Sequence, residues 1–155
     1  MTVEDDIATF RRVPTLALLG PDALRIVAIG AETRRVYVGD VLFAEGEPGD
    51  AGYVVQQGSF ALTSRRSGDR EASVVRSGTL LGEFTLVTET VWPVTATARE
   101  SSAVIRISRN MFLRMLEGYP EAAERLRRHL AARAAESARH LDEARKLFRA
   151  AEDKH

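Results

Sequence analysis

The sequence predicts an α+β fold, mostly β: a jelly-roll-like β-roll with helices before it, then a short helix and a long one. Two observations carry this. Glycines at 39, 46, 49, 52 and 58 recur every three to seven residues between short stretches rich in Val, Tyr and Phe. From Pro120 onward the chain runs through Ala, Glu, Arg and Leu with no internal Gly or Pro before its end.

Glycine is the default residue where a tight turn needs a positive φ, so this spacing reads as short strands joined by turns. Val36-Tyr37-Val38, Val41-Leu42-Phe43, Tyr53-Val54-Val55 and Phe60-Ala61-Leu62 are strand-length and β-branched or aromatic, and Ala72 to Val75, Val94 to Ala98 and Ala103 to Ile107 extend the series. Strands at roughly ten-residue spacing with no helical crossover between residues 34 and 108 imply a roll rather than a parallel sheet.

The flanks have helical patterns. Pro21-Asp22 opens a segment in which Leu24, Val27 and Ala28 repeat at helical spacing. Met111, Phe112, Met115 and Leu116 form one apolar face of a short helix, with Ser108 as its cap and Gly118 at its end. Pro120 then starts a helix from Glu121 to about Ala151, about 45 Å long at about 1.5 Å per residue. A single domain is therefore expected: a helical lead-in over 1–33, the roll over 34–108, the short helix over 109–118 and the long one over 120–152.

At 155 residues, 45% hydrophobic and 28% charged, the composition is that of an ordinary globular domain with room for a core. No apolar run approaches the ~20 residues of a membrane span, and the acidic start MTVEDDIATF is unlike a secretory signal, so a cytoplasmic location without membrane contact is expected. The absence of Cys excludes disulfides, thiolate metal sites and cysteine nucleophiles. Lys+Arg 22 against Asp+Glu 22 leaves no net electrostatic footprint for nucleic acid.

Gly39-Asp40 with Glu45-Gly46 and Gly49-Asp50, the strand Tyr53 to Gly58, and Gly82-Glu83-Phe84-Thr85-Leu86 together resemble the cyclic nucleotide-binding domain of catabolite activators, ion channels and kinase regulatory subunits. The resemblance spans about Val13 to Ala138. It implies that residues 82–86 open a phosphate-binding cassette, a short helix whose amides meet the ligand phosphate, whose glutamate takes the ribose 2′-hydroxyl, and which is followed by an arginine that pairs with the phosphate. By the resemblance Gly82, Glu83, Phe84, Thr85, Trp92 and Thr95 are the ligand-binding residues and a cyclic nucleotide is the small-molecule ligand.

Each assignment has an alternative. Gly82 lets backbone approach a ligand or simply makes a turn. Glu83 accepts from a hydroxyl or complements the positive end of its own helical turn. Thr95 bonds a ligand or serves as a β-branched strand residue. The departure is sharper. Ten positions beyond Gly82, where the family's P-R-[AS]-A-[TS] pattern has arginine, this chain has Trp92, between Val91 and Pro93. Losing one member of a desolvated charge pair costs about 2 to 5 kcal/mol, or about thirty-fold to several-thousand-fold in affinity. Arg76 and Arg99 are the alternative phosphate cations. Trp92 either fills the pocket with its ring or stacks on a flat ligand, and both outcomes make cyclic-nucleotide binding weak, altered or absent.

Catalysis has no support. A metal-bearing roll would need histidines inside it, whereas His129, His140 and His155 all lie in the terminal helix. The carboxylate pairs Asp5-Asp6 and Glu152-Asp153 fall in expected frayed ends, and no metal or cofactor is implied. DNA-binding relatives carry a helix-turn-helix beyond the long helix, and this chain stops at His155. The RRSGDR tip and the Arg125–Arg133 stretch read as solvated faces. The long helix has a positive function instead. Leu130, Ala134, Ser137, Leu141, Ala144, Phe148 and Ala151 follow at alternating spacings of four and three, a heptad seam suited to a homodimer. Its alternative is packing onto its own roll. The expected molecule is a non-enzymatic sensory or regulatory module, or the sensor part of a transcription regulator that binds cyclic AMP or cyclic GMP, with an unidentified protein partner downstream.

Overall fold

The computed structural model describes residues 2–65 and 73–152, those from 137 on by backbone alone. Three helices lead in: α1 (Val3–Arg11), α2 (Pro14–Ala17) and α3 (Pro21–Gly30). Among the described residues ten strands follow: β1 (Glu32–Val36), β2 (Val41–Phe43), β3 (Pro48–Gly49), β4 (Ala51–Gln57), β5 (Ser59–Thr63), β6 (Ser73–Arg76), β7 (Leu80–Leu81), β8 (Thr90–Val91), β9 (Thr95–Ala98) and β10 (Ser102–Ser108). Helices α4 (Arg109–Gly118) and α5 (Pro120–Glu152) come after the strands.

The strands form two four-stranded sheets, ordered β1-β10-β4-β7 and β2-β9-β5-β6, and the small pair β3-β8. All the pairings are antiparallel. This is the expected mostly-β roll in an α+β chain. Two apolar clusters divide the interior. One holds Phe10, Leu16, Leu24, Val27, Phe112, Met115 and Leu126, and joins the helices to the outer face of the β10-β4 sheet through Val54, Ile105 and Ile107. The other lies within the roll and holds Phe43, Tyr53, Val55, Phe60, Trp92 and Val104. Strands β4 and β10 feed both, because successive side chains point to opposite faces: Val54 goes to the helices and Val55 to the roll.

Local chemistry explains several boundaries. Ser108 caps α4 by accepting from the Met111 amide at 3.2 Å. Gly39, Gly46 and Gly58 take φ of +86°, +85° and +86°, as turn glycines do. Gly49 and Gly52 do not: both sit in strands, where the missing side chain makes room for neighbours. The first strand ends at Val36 instead of covering Val36 to Val38. The chain turns there, the Asp40 amide donates to the Tyr37 carbonyl at 2.9 Å, and Tyr37 and Val38 are exposed.

The N-terminal carboxylates are not frayed. Asp5 and Thr2 form a reciprocal capping box at the start of α1. Asp6 is buried and accepts from Gln56 Nε2 at 3.0 Å. Burial pushes the Asp6 carboxyl above its ordinary value, against the lowering effect of the Gln56 bond. The first part of α5 packs on the molecule's own core, with Ala122 and Leu126 buried and Leu130 half-buried against the helical cluster, while Ala134 is exposed. The side chains of Leu141, Ala144 and Phe148 lie outside the described residues, as do His140, His155 and residues 66–70 of the basic tip. Among the described residues no helix is long and apolar enough to cross a membrane.

Candidate ligand site

The segment between β7 and β8 makes a single helical turn. Gly82 enters it with φ of +86°, the Leu86 amide donates to the Gly82 carbonyl at 3.0 Å and the Thr88 amide to the Phe84 carbonyl at 2.9 Å. Thr85 is buried, and its hydroxyl lies 2.9 Å from the carbonyl oxygens of both Ala51 and Gly82. Arg109, the first residue of α4, fixes the turn from behind. Its Nε donates to the Thr85 carbonyl at 3.0 Å and its Nη2 to the Gly49 carbonyl. One guanidinium therefore ties the turn to β3.

Trp92 fills the space between them. Its ring lies on Phe43 with centroids 3.7 Å apart and planes 10° apart, and Tyr53 approaches it at 6.0 Å. Only 4% of Trp92 is exposed. Its backbone is held too, the amide donating to the Glu47 carbonyl at 2.9 Å and the carbonyl accepting from the Gly46 amide at 2.8 Å. A Cβ on Gly82 would stand 2.6 Å from Trp92 Cη2, and one on Gly49 would stand 3.1 Å from Cε2. The two glycines thus accommodate the indole ring of this same chain.

Beside the ring is a cavity of about 340 Å3, lined by Phe43, Phe84, Thr90, Val91, Trp92 and Val94 among others. Among the described residues, no lysine or arginine lines it. Arg76 and Arg99 are exposed and stand near Ser59. Arg76 is opposite Ser59 in the β5-β6 register, and the Arg99 amide donates to the Ser59 carbonyl at 3.0 Å. Trp92 precedes β9 and Arg99 follows it, so the strand separates the two.

The remaining predicted site residues have other partners. Glu83 is 15% exposed and accepts from Thr15 Oγ1 at 2.8 Å and from Arg133 Nε. Thr15 Oγ1 also lies 3.0 Å from His129 Nε2. A hydroxyl has one proton and a carboxylate only accepts, so that proton goes to Glu83 and His129 donates through Nε2–H. Thr95 Oγ1 accepts from the Glu45 amide at 2.9 Å. Phe84 is 41% exposed at the cavity. The structure thus brings Gly82, Phe84, Thr85 and Trp92 together around one cavity, with the Glu83 carboxylate bonded to α2 and α5. Sequence reasoning did not single out Phe43, Arg109 or Thr15, and it read Arg133 as part of a solvated face, whereas Arg133 bonds Glu83. They act across 24 to 68 positions of chain, with no local motif to mark them.

Residues 33–119 match the model of the cyclic nucleotide-binding domain. The chain belongs to that family. A cyclic nucleotide-binding-like protein from Brucella abortus is 35% identical in sequence, with a TM-score of 0.66 over 73% of this chain and 98% of that one. The N-terminal domain of a transcriptional regulator from Streptomyces coelicolor is 27% identical, with a TM-score of 0.76 over 86% of this chain and 94% of that one. The regulatory subunit of a cAMP-dependent protein kinase from Hypocrea atroviridis is 27% identical over 104 residues, 67% of this chain. The chain spans 22% of that subunit's length.

Proposed function

We propose that this cyclic nucleotide-binding domain is a non-enzymatic regulatory module of the cytoplasm in which Trp92 occupies the phosphate-binding position, so that cyclic AMP and cyclic GMP bind weakly or not at all. The observation that carries this is the indole ring stacked on Phe43 and seated against Gly82, at the residue that the resemblance aligns with the family's arginine. The cavity left beside it is largely aromatic and aliphatic, with Glu83, Thr85 and Thr90 also on its wall and, among the described residues, no lysine or arginine, so it offers a phosphate monoanion no cationic partner. The polar cassette groups are engaged within the fold: the Thr85 hydroxyl with backbone, and Glu83 with Thr15 and Arg133. Output passes through α5, either to a second copy of the chain or to a protein partner.

Isothermal titration with cyclic AMP and cyclic GMP is the test. Heats consistent with millimolar or weaker affinity support the proposal, and sub-micromolar binding overturns it. The second reading is a sensor domain of a transcription regulator that responds to one of these nucleotides, and the Streptomyces domain, aligned over most of both chains, favours it. Tight binding abolished by Arg76→Ala or Arg99→Ala would establish that reading and identify the replacement cation.

A further inference from the structure

Two large apolar side chains are held in solvent at the rim of the cavity beside Trp92. Phe84, in the Gly82–Leu86 turn, is 41% exposed and Val91, in β8, is 52% exposed, and both line the same space of about 340 Å3. Single exposed apolar residues are ordinary on a protein surface, whereas two from separate segments around one concave space are what a ligand groove shows. Behind them the wall is Trp92, Phe43 and Leu81, all buried.

The polar groups of the wall decide what charge fits. Among the described residues Glu83 is the one ionisable side chain that lines it, and its carboxylate is already bonded to Thr15 and Arg133. An anion would meet no cation there, and a cation would meet a carboxylate already paired. The Thr85 hydroxyl lies 2.9 Å from two carbonyl oxygens of its own fold, which leaves Thr90, exposed on the same wall, to supply a hydroxyl to a ligand. The volume falls within the range of small-molecule sites, and aromatic walls favour a ring.

We propose that this cavity takes an uncharged, mainly apolar ring compound with at most one hydrogen-bonding group, seated against Trp92 and Phe84. This deepens the function proposed above and rests on it: the indole that leaves a phosphate without a cationic partner is also the apolar wall.

The test uses two probes of one shape on the whole chain. Phenylnaphthylamine is neutral, and anilinonaphthalenesulfonate is the same frame carrying a sulfonate. Trp92 is the only tryptophan, so energy transfer from it reports a probe seated beside it. Wild type should take up one neutral probe per chain, with Trp92 emission falling in step, and should bind the sulfonate about tenfold more weakly. Val91→Arg sets a guanidinium on the exposed rim and should reverse that order. Phe84→Ser should weaken the neutral probe about fivefold. Both positions are exposed, and a thermal scan checks that each variant folds; should one fail, the other variant and the wild-type probe pair still decide. Equal binding of the two probes by wild type, no transfer from Trp92, or an unchanged probe order in Val91→Arg overturns the proposal. Titration with cyclic AMP beside these measurements separates the two readings. Weak cyclic AMP binding with no probe uptake overturns this proposal and leaves the proposed function standing, whereas sub-micromolar cyclic AMP binding overturns both.

Discussion

Trp92 lies flat on Phe43, with ring centroids 3.7 Å apart and planes 10° apart. The pair places a large apolar group inside the roll, and the function proposed above takes that group to stand in for a guanidinium. Gly49 and Gly82 fit it closely, since a methyl on either would crowd the indole or the neighbouring Thr85. The glycines that suit an approaching ligand suit an approaching side chain for the same reason.

Replacing Trp92 by arginine should restore what the ring displaced. With Gly82 and Thr85 in place, Trp92→Arg is expected to raise affinity for cyclic AMP or cyclic GMP at least tenfold, which needs only about 1.4 kcal/mol. The same variant should melt at lower temperature, because the Phe43 stack is lost. Titration calorimetry beside a thermal scan measures both. A lower melting temperature without any gain in affinity would break the correspondence between Trp92 and the family's arginine.

Gly82→Ala and Gly46→Ala form a controlled pair. Both glycines have φ near +86°, so each substitution meets the left-handed penalty of about 1 to 2 kcal/mol. A Cβ at Gly46 meets nothing within 4 Å, whereas one at Gly82 stands 2.3 Å from Thr85 Oγ1 and 2.6 Å from Trp92 Cη2. Gly82→Ala should therefore destabilise by about 1 to 3 kcal/mol more, the range for overpacking. Denaturant midpoints at constant slope give the difference, and equal losses would mean that the slot around Trp92 is loose.

Much of the roll was legible in the sequence because its signals are local. Ser108 before an apolar helical face marks the start of α4, glycine-bounded runs of β-branched and aromatic residues mark β2, β4 and β5, and apolar or β-branched runs bounded by Pro93 and by serines mark β9 and β10. Strands β3, β7 and β8, two residues each, leave no period to detect and arise from pairings across the fold. Glu83 shows the same limit at the site. Its position in a G-E-x-x-L stretch suggests a hydroxyl ligand, but its partners are 68 and 50 positions away, and only the packing of α2 and α5 brings them to it. Asp6 read as a solvated terminal carboxylate because neither the turn of α1 onto β4 nor Gln56 is visible from residues 1 to 10.

Asp6 also predicts a pH dependence. Burial raises its carboxyl above the ordinary carboxylate value, so the folded state binds the proton more tightly than the unfolded chain does. The sign follows: this contribution to stability is fully present below the ordinary carboxylate range, near pH ~3.9, and is lost as pH rises through the raised folded value. Asp6→Asn keeps an acceptor for Gln56 Nε2 and removes the charge. It also brings a donor close to Gln56 Oε1, which is buried and has no partner among the described residues. The variant should be at least as stable as wild type at pH 7, with a flatter stability profile from pH 4 to 7. Unfolding midpoints across that range test it, and an Asn variant that is less stable at pH 7 with an unchanged profile would contradict the sign.

Assembly is the remaining prediction, and the fold narrows where it can occur. The four-and-three seam starts at Leu130, but Leu130 packs with Leu126 against the molecule's own helical cluster. The seam positions proposed for a second copy are therefore those beyond it, where the backbone continues as helix to Glu152. Leu141 and Phe148 are the bulkiest seam positions there. Burying them would contribute about 1.5 to 3 kcal/mol each, while the alanines between them add little. A dimer is expected at tens of micromolar. Leu141→Glu with Phe148→Glu should give monomers, because each new charge would face its symmetry mate across the seam. Leu130→Glu should instead lower the melting temperature, because it strikes the core contact. Light scattering coupled to size exclusion, with a thermal scan on each variant, separates the two effects. A monomeric wild type, or a double variant that stays dimeric, would place the output of this domain on another surface.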